Sequence, residues 1–163
     1  MTLNLEEYQN TAFKDNRGLY WTSWEKHKYK LNFKHDKFSL SKKNVLRGLH
    51  GDNKTWKLVS CVYGKVFFVV VNFNKKSKNY LEKKTFILSH TNRKQVLIPP
   101  FFLNGYLCLS NKCVFHYKLS YKGKYADTKN QFSIKWNDPF LKIKWPIKTP
   151  ILSKRDKNSL YVY

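Results

Sequence analysis

The chain is short of acid and shorter still of the signatures that mark many enzyme classes. Ten Asp and Glu stand against 32 Lys and Arg, a formal net charge of +22 over 163 residues. Clustered cations attract polyanions by counterion release, but arginine occurs only at positions 17, 47, 93 and 155. The remaining 28 basic residues are lysines, scattered along the chain. Since arginine is the residue whose planar fork matches phosphate, nucleic-acid binding is disfavoured. The charge fits a solubilising Lys-rich surface, or attraction of a smaller anion such as a nucleotide diphosphate. No apolar run reaches the roughly 18 residues that cross a bilayer, so no membrane partner is expected. The opening residues, through Glu6 and Glu7, carry acid where a secretory leader needs an apolar centre. Cysteine is limited to Cys61, Cys108 and Cys113, an odd number without Cys-x-x-Cys spacing. They read as reduced, buried thiols of a cytoplasmic protein. Glycine is down to six residues with no Gly-rich phosphate loop, so P-loop and Rossmann readings fail. A β-barrel metal site needs His-x-His with a following Glu, whereas His50 is followed by Gly51-Asp52 and the other histidines stand apart. No metal is therefore expected, and no Gly-x-Ser-x-Gly or Cys–His pattern supports covalent catalysis. If chemistry happens here, it is proton chemistry without a metal.

What the chain does contain is strand signal. Aromatics make up 17% of it, and β-branched and aromatic runs recur between turn signals. Thr55–Tyr63 and Lys65–Phe73 are joined at Tyr63-Gly64, which reads as a hairpin. Further strands are expected at Leu31–Phe33, Lys83–Ser89, Gln95–Ile98, Tyr106–Leu109, Cys113–Ser120, Phe132–Lys135 and Leu141–Lys144. Turns fall between them at Asn74–Lys78, Pro99-Pro100, Asn111-Lys112, Gly123 and Asn137-Asp138-Pro139. Only Leu5–Ala12 and the tail after Ser153 suit a helical turn. Many short strands at regular spacing predict an all-β sandwich or barrel, with residues 1–163 forming a single domain.

The stretch from Val45 to Leu58 carries most of the chemistry. Strand alternation places Arg47, Leu49 and Gly51 on one face and Leu46, Gly48 and His50 on the other. His50 thus falls where a core residue is expected. A partnered histidine is a candidate general base, because its ordinary pKa of roughly 6.5 lies near working pH. Taken alone, a histidine among apolar neighbours is more often a packed core or rim residue than a catalytic one.

Several blocks taken together resemble a known family. Phe13 through Gly18 resembles its F-x-D-x-R-G opening, and Ser41 through His50 its S-x-x-x-V-L-R-G-L-H block. Lys57-Leu58-Val59 resembles its K-L-V. Gln95 through Pro99 with Leu107 through Ser110 resembles L-x-I-P-x-G-F-x-H-G-F-x-V-L-S. Tyr117-Lys118, the Trp136 to Pro139 segment, Ile143 to Pro146 and Ile151 to Asp156 follow in order. The chain is similar over about residues 13–156 to the nucleotide-sugar 3,5-epimerases typified by dTDP-4-dehydrorhamnose 3,5-epimerase. Within that family it resembles more closely a subgroup acting on GDP-linked 4-keto-heptoses for bacterial capsules. Three segments carry that finer likeness: His35 to Phe38, the short Gly51–Lys57 loop, and Tyr121 to Tyr125 with Asp127.

The resemblance implies a jelly-roll, cupin-like barrel, a homodimer, no metal or organic cofactor, and a nucleotide-sugar substrate, GDP-linked by the finer likeness. It implies an isomerase that inverts C3, or C3 and C5, of a 4-keto sugar. The keto group acidifies the neighbouring C–H, so the reaction needs a base on one face, an acid on the other, and a cation at the ketone oxygen. Carried over by position, His50 is the base oriented by Asp156, Tyr117 the acid, and Lys57 the cation that stabilises the enolate. Arg17 and Arg47 would hold the diphosphate. His35, Lys37, Asn104, Phe13 and Trp136 are expected to contact substrate, and either Tyr121 or Tyr125 to shape the sugar pocket. Departures exist: Asn104 replaces the histidine of H-G-F, and Asn72 and Asn74 replace the Asp and Arg of the family's D-x-R. Two competing readings are a same-fold ketoisomerase and a noncatalytic basic β module binding nucleic acid or another polyanion.

Overall fold

The computed structural model describes residues 5–126 and 128–163. Twelve described strands follow one another: β1 (Glu6–Gln9), β2 (Ala12–Asp15), β3 (Gly18–Trp21), β4 (His35–Lys42), β5 (Leu46–Gly51) and β6 (Trp56–Tyr63), then β7 (Lys65–Asn72), β8 (Lys83–Ser89), β9 (Lys94–Ile98), β10 (Phe102–Cys108), β11 (Lys112–Ser120) and β12 (Phe132–Ser133). One short helix, α1 (Lys154–Lys157), comes near the end. Ten strands form two five-stranded sheets, in the orders β1-β9-β6-β11-β4 and β12-β5-β10-β7-β8, and β2-β3 pair as a separate hairpin. The arrangement is jelly-roll-like, as the resemblance implies, and falls within the all-β sandwich or barrel class that the density of short strands predicts.

Strand periodicity explains how the sheets bury both faces. On β7, Val66, Phe68 and Val70 point between the sheets and pack with Val59, Cys61, Val96, Tyr106 and Phe115. Its alternate residues Val69 and Val71 face outward, onto Leu141, Ile134 and Trp145. The outer face of the first sheet is covered in the same way, with Leu58 and Leu97 under Tyr29, Trp24 and Phe33. Phe68 is fully enclosed, and burying such a side chain stabilises by about 1.5–3 kcal/mol. The three cysteines are free and buried. Burial pushes the Cys61 thiol up to about 12, so it behaves as a small apolar side chain.

Four sequence expectations change. Tyr63-Gly64 does not close a hairpin, because β6 and β7 lie in opposite sheets. Gly64 turns the chain across at φ +79, where a Cβ would lie 2.3 Å from the Lys112 carbonyl oxygen. Leu5–Ala12 is extended, since Glu6–Gln9 ladders onto β9 from Leu97 back to Lys94. Leu31–Phe33 and Leu141–Lys144 are loops rather than strands. Their apolar residues cover the outer faces of the sheets, so hydrophobicity there marks a lid and not a ladder. Strand β4 escapes the sequence pattern because its interior-phase residues Lys37, Ser39 and Ser41 are polar. The helical turn after Ser153 is α1. The Tyr121–Tyr125 likeness extends to Asp127, which lies outside the described residues.

Candidate active site

The space between the sheets changes character along its length. On β6 the interior phase reads Cys61, Val59, Lys57; on β11 it reads Phe115, Tyr117; on β10, Cys108, Tyr106, Asn104. The apolar ends of these strands form the core. Their polar ends, with β4, β5 and α1, enclose a cavity of about 530 Å³. His50, Lys57, Tyr117 and Asp156 all line it, as do Arg47, Lys37 and Asn104.

Arg47 and His50 share this cavity although simple alternation separates them. The β5–β10 register explains it: His50 pairs with Asn104 and Arg47 with Tyr106, so three residue steps on β5 oppose two on β10. That bulge shifts the phase and turns both side chains inward. Gly48 sits within it at φ +125, and a Cβ there would lie 2.6 Å from the Gly105 Cα. The glycine pair lets the two backbones close on each other, and the expected face assignment of Arg47 is corrected accordingly.

The C-terminal segment delivers the partner of His50. Ile151 donates to the Asn44 carbonyl (2.8 Å) and its own carbonyl accepts from Leu46 N–H (3.0 Å), which pins the chain beside β5. Ser153 then caps α1, its Oγ accepting from Asp156 N–H at 3.1 Å and donating to Asp156 Oδ2 at 2.7 Å. The other carboxylate oxygen, Oδ1, lies 2.7 Å from His50 Nε2. Burial alone pushes the Asp156 carboxyl up. The His50 and Ser153 contacts, with the Gly48 N–H, outweigh it and hold the group below the ordinary carboxylate range. An anionic partner at this distance favours the imidazole tautomer that carries its proton on Nε2. The His50 side chain is 25% exposed, open on the cavity side.

Tyr117 stands on β11, in the sheet facing that of His50. Its phenol makes no hydrogen bond among the described residues and is held well above its ordinary range, first by burial and then by the neighbouring Tyr106, with Arg47 opposing. Such a group keeps its proton and can donate it. Lys57 is 6% exposed, and its Nζ lies 3.3 Å from Asp52 Oδ2. Burial lowers its pKa while Asp52 opposes the shift. Asn104 Nδ2 donates to the His50 carbonyl (2.9 Å). Arg47 Nε donates to Ser41 Oγ (3.0 Å), and Ser41 in turn bonds the buried Tyr106 hydroxyl (2.9 Å).

Other expected substrate contacts lie elsewhere in a single copy. Arg17 is exposed on the β2–β3 hairpin with both guanidinium contacts on Asp15. Phe13 stacks on Tyr20 on the same hairpin. Trp136 accepts from Trp145 Nε1 through its carbonyl, behind the second sheet. His35 does not line the cavity; its Nδ1 bonds the Tyr121 hydroxyl (2.8 Å). Of the two tyrosines, Tyr125 lines the cavity, with the Lys37 ammonium over its ring at 4.6 Å. Sequence reasoning passed over Ser39, Gln131 and Arg155. Gln131 takes both Arg155 Nη atoms on Oε1 (3.2 Å each) and donates to the Tyr125 hydroxyl (3.3 Å). Arg155 could have been flagged, being one of four arginines and adjacent to Asp156.

Among the described residues no cluster of three or more His, Cys, Asp or Glu side chains could hold a metal ion. No described helix is long and apolar enough to cross a membrane.

The relatives identify the class of protein that carries this cavity in a jelly-roll-like fold: an isomerase acting on a nucleotide sugar. The family model described as dTDP-4-dehydrorhamnose 3,5-epimerase matches residues 4–162. The enzyme of that name from Salmonella typhimurium is 38% identical over 155 residues, covering 89% of this chain and 83% of that one. The Escherichia coli enzyme is 36% identical over 156 residues, covering 90% and 83%. The crystal structure of a Legionella pneumophila dTDP-6-deoxy-D-glucose-3,5-epimerase in complex with dTDP-4-keto-L-rhamnose superposes with a TM-score of 0.90 at 32% identity, covering 96% and 87%. The chain belongs to the dTDP-4-dehydrorhamnose 3,5-epimerase family.

Proposed function

We propose that this protein epimerises C3, or C3 and C5, of a 4-keto-6-deoxy sugar carried on a nucleoside diphosphate. One observation carries the reading: His50 and Tyr117 enter a single cavity from opposite sheets, and Asp156 lies 2.7 Å from His50 Nε2. His50 Nδ1 takes the proton next to the ketone. Lys57 holds the negative charge that gathers on the ketone oxygen in the enolate. Tyr117, kept protonated by burial, returns a proton to the other face. Arg47, Arg155 and Lys37 line the same cavity and supply positive charge for the diphosphate.

The protein acts as a homodimer in this reading. Arg17 is assigned to the diphosphate by its place in the family pattern, yet within one copy it sits outside the cavity. Its hairpin also exposes a stacked aromatic pair, Phe13 and Tyr20, at 61% and 64%. Both facts fit a hairpin that completes the cavity of a second copy.

Thymidine-linked sugars are the first substrate to test, since the relatives named above are dTDP-sugar epimerases. A GDP-linked 4-keto-heptose is the second. It is favoured by the departures at Lys37, the Gly51-Asp52 loop start and Asn104, of which Lys37, Gly51 and Asn104 line the cavity. The experiment is proton NMR in D₂O with dTDP-4-keto-6-deoxyglucose and, in parallel, GDP-4-keto-6-deoxy-heptose. Deuterium entering C3 alone, or C3 and C5, defines the reaction, and the faster substrate defines the nucleotide. Absence of exchange with either sugar refutes the epimerase reading. Exchange with migration of the carbonyl to C3 would instead show a ketoisomerase.

A further inference from the structure

Lys57 occupies an interior position of β6, in phase with Val59 and Cys61, where most chains would place an apolar residue. An ammonium so enclosed loses its charge unless something nearby opposes desolvation. We propose that Asp52 is a positioning residue that keeps Lys57 charged and aimed into the cavity, an inference that rests on the epimerase reading for its catalytic meaning.

The geometry is specific. Asp52 is 1% exposed, and its two carboxylate oxygens are divided between two tasks. Oδ1 accepts from the backbone N–H of Lys54 (3.0 Å) and Thr55 (2.7 Å), which locks the side chain in the β5–β6 turn. Oδ2 makes no hydrogen bond and meets Lys57 Nζ at 3.3 Å. The turn itself is held from behind by Phe101 N–H, which donates to the Asp52 carbonyl at 2.7 Å. The other ionisable groups on this cavity are Arg47 and His50 from β5, Lys37 from β4 and Tyr117 from β11. Tyr125, Arg155 and Asp156 complete the wall. Of these only Asp156 is a carboxylate, and it is engaged by His50 and Ser153. Asn72, where the family pattern has an aspartate, carries no charge and bonds Ser77 and the Asn74 N–H. Among the described residues Asp52 is thus the carboxylate that faces Lys57. The mutual effect runs the right way. Burial lowers the Lys57 pKa and Asp52 raises it; burial raises Asp52, while Lys57 and then the turn contacts bring it below the ordinary range.

Asp52→Asn separates charge from structure. An asparagine Oδ1 still accepts the Lys54 and Thr55 N–H groups, so the turn survives while the charge opposite Lys57 is lost. The sign follows directly: the enolate needs charged Lys57, so activity falls as pH rises through the Lys57 pKa, and removing Asp52 moves that fall to lower pH. Opposite charges at this range shift a pKa by about 1–3 units, so the alkaline limb of C3 wash-in should move acidward by about 1–3 pH units, with KM little changed. Asp52→Glu, which retains the charge, should keep the limb near that of the unaltered protein. In a Lys57→Met background, Asp52→Asn should cost no further rate. A ¹⁵N titration of lysine Nζ in the substrate-free protein, with Lys57 identified by its loss in Lys57→Met, should show the same shift. An unmoved Lys57 titration in Asp52→Asn overturns the inference whatever the substrate proves to be. So does a limb that moves equally in Asp52→Glu, which would mark a structural role. Absence of wash-in by the unaltered protein overturns the epimerase reading alone, because the ¹⁵N titration still reads the Asp52–Lys57 coupling.

Discussion

Asp156→Asn removes one charge from the site and little else. The α1 cap runs from Asp156 N–H to Ser153 Oγ through the backbone, so the helix keeps it. The carboxylate is 2% exposed and lies 2.7 Å from His50 Nε2, so its interaction with a developing imidazolium is poorly screened by water. A hydrogen bond to a charged group contributes about 1.5–3 kcal/mol, and about 1.4 kcal/mol is a factor of ten in rate. If the full difference is felt only as His50 takes the proton, kcat for C3 exchange falls roughly 10- to 150-fold with KM nearly unchanged. The asparagine amide can also point its N–H at Nε2 and force the proton onto Nδ1, which removes the base outright and pushes the loss to the upper end. The assay is the initial rate of deuterium wash-in at saturating substrate, with a thermal melt as control for folding. A folded Asp156→Asn protein with an unchanged wash-in rate refutes the idea that this carboxylate tunes His50.

Three further outcomes are expected. Tyr117→Phe should allow wash-in at C3 while blocking most net inversion, since abstraction by His50 does not need the opposing acid; equal loss of both by NMR removes Tyr117 from its role. Coexpressed Arg17→Ala and His50→Asn chains, each nearly inactive alone, should together recover about a quarter of normal sites if hairpins are exchanged in a dimer, whereas no recovery places Arg17 on its own cavity or outside the reaction. Gly48→Ala should destabilise by more than about 2 kcal/mol, because its φ of +125 disfavours a side chain and the new Cβ meets Gly105 Cα at 2.6 Å. For a chain of this length that lowers Tm by roughly 4–8 °C or more, and an unchanged melt contradicts the backbone argument.

The fold class was legible because strand-length apolar runs dominate the chain, and β7 shows why: Val66 to Val71 is apolar throughout because both of its faces are covered. What escaped were features that depend on partners distant in sequence. Whether Tyr63-Gly64 closes a hairpin or crosses between sheets depends on the β10–β11 turn lying 2.3 Å from a Cβ at Gly64, and nothing local to Gly64 announces that. Strand β4 was invisible because its interior residues are polar for the sake of the cavity. The shared side of Arg47 and His50 required a bulge whose other half is Gly105, more than fifty residues away. The site residues were legible only jointly. Lys57 is one of 28 lysines, and no periodicity singles it out until its neighbours Val59 and Cys61 are seen to face the core.

That interior phase also accounts for how the site is tuned. Lys57, Tyr117 and Asn104 continue the rows begun by Val59, Phe115 and Tyr106, so the strands that build the core also carry polar side chains out of water. Desolvation then acts on all of them at once, but with opposite chemical consequences. It keeps the proton on Tyr117, which suits an acid, and it weakens the charge on Lys57, which an enolate-stabilising cation cannot tolerate. Each of the two buried ionic groups therefore has a fixed partner: Asp52 at 3.3 Å for Lys57, and the His50 imidazole at 2.7 Å for Asp156. Tyr117, which must stay neutral, has no carboxylate partner among the described residues. The pairing pattern matches the proton transfer proposed for this cavity: charge is opposed by a carboxylate where the proposal needs it kept, at Lys57, and left unopposed where it needs a neutral group, at Tyr117.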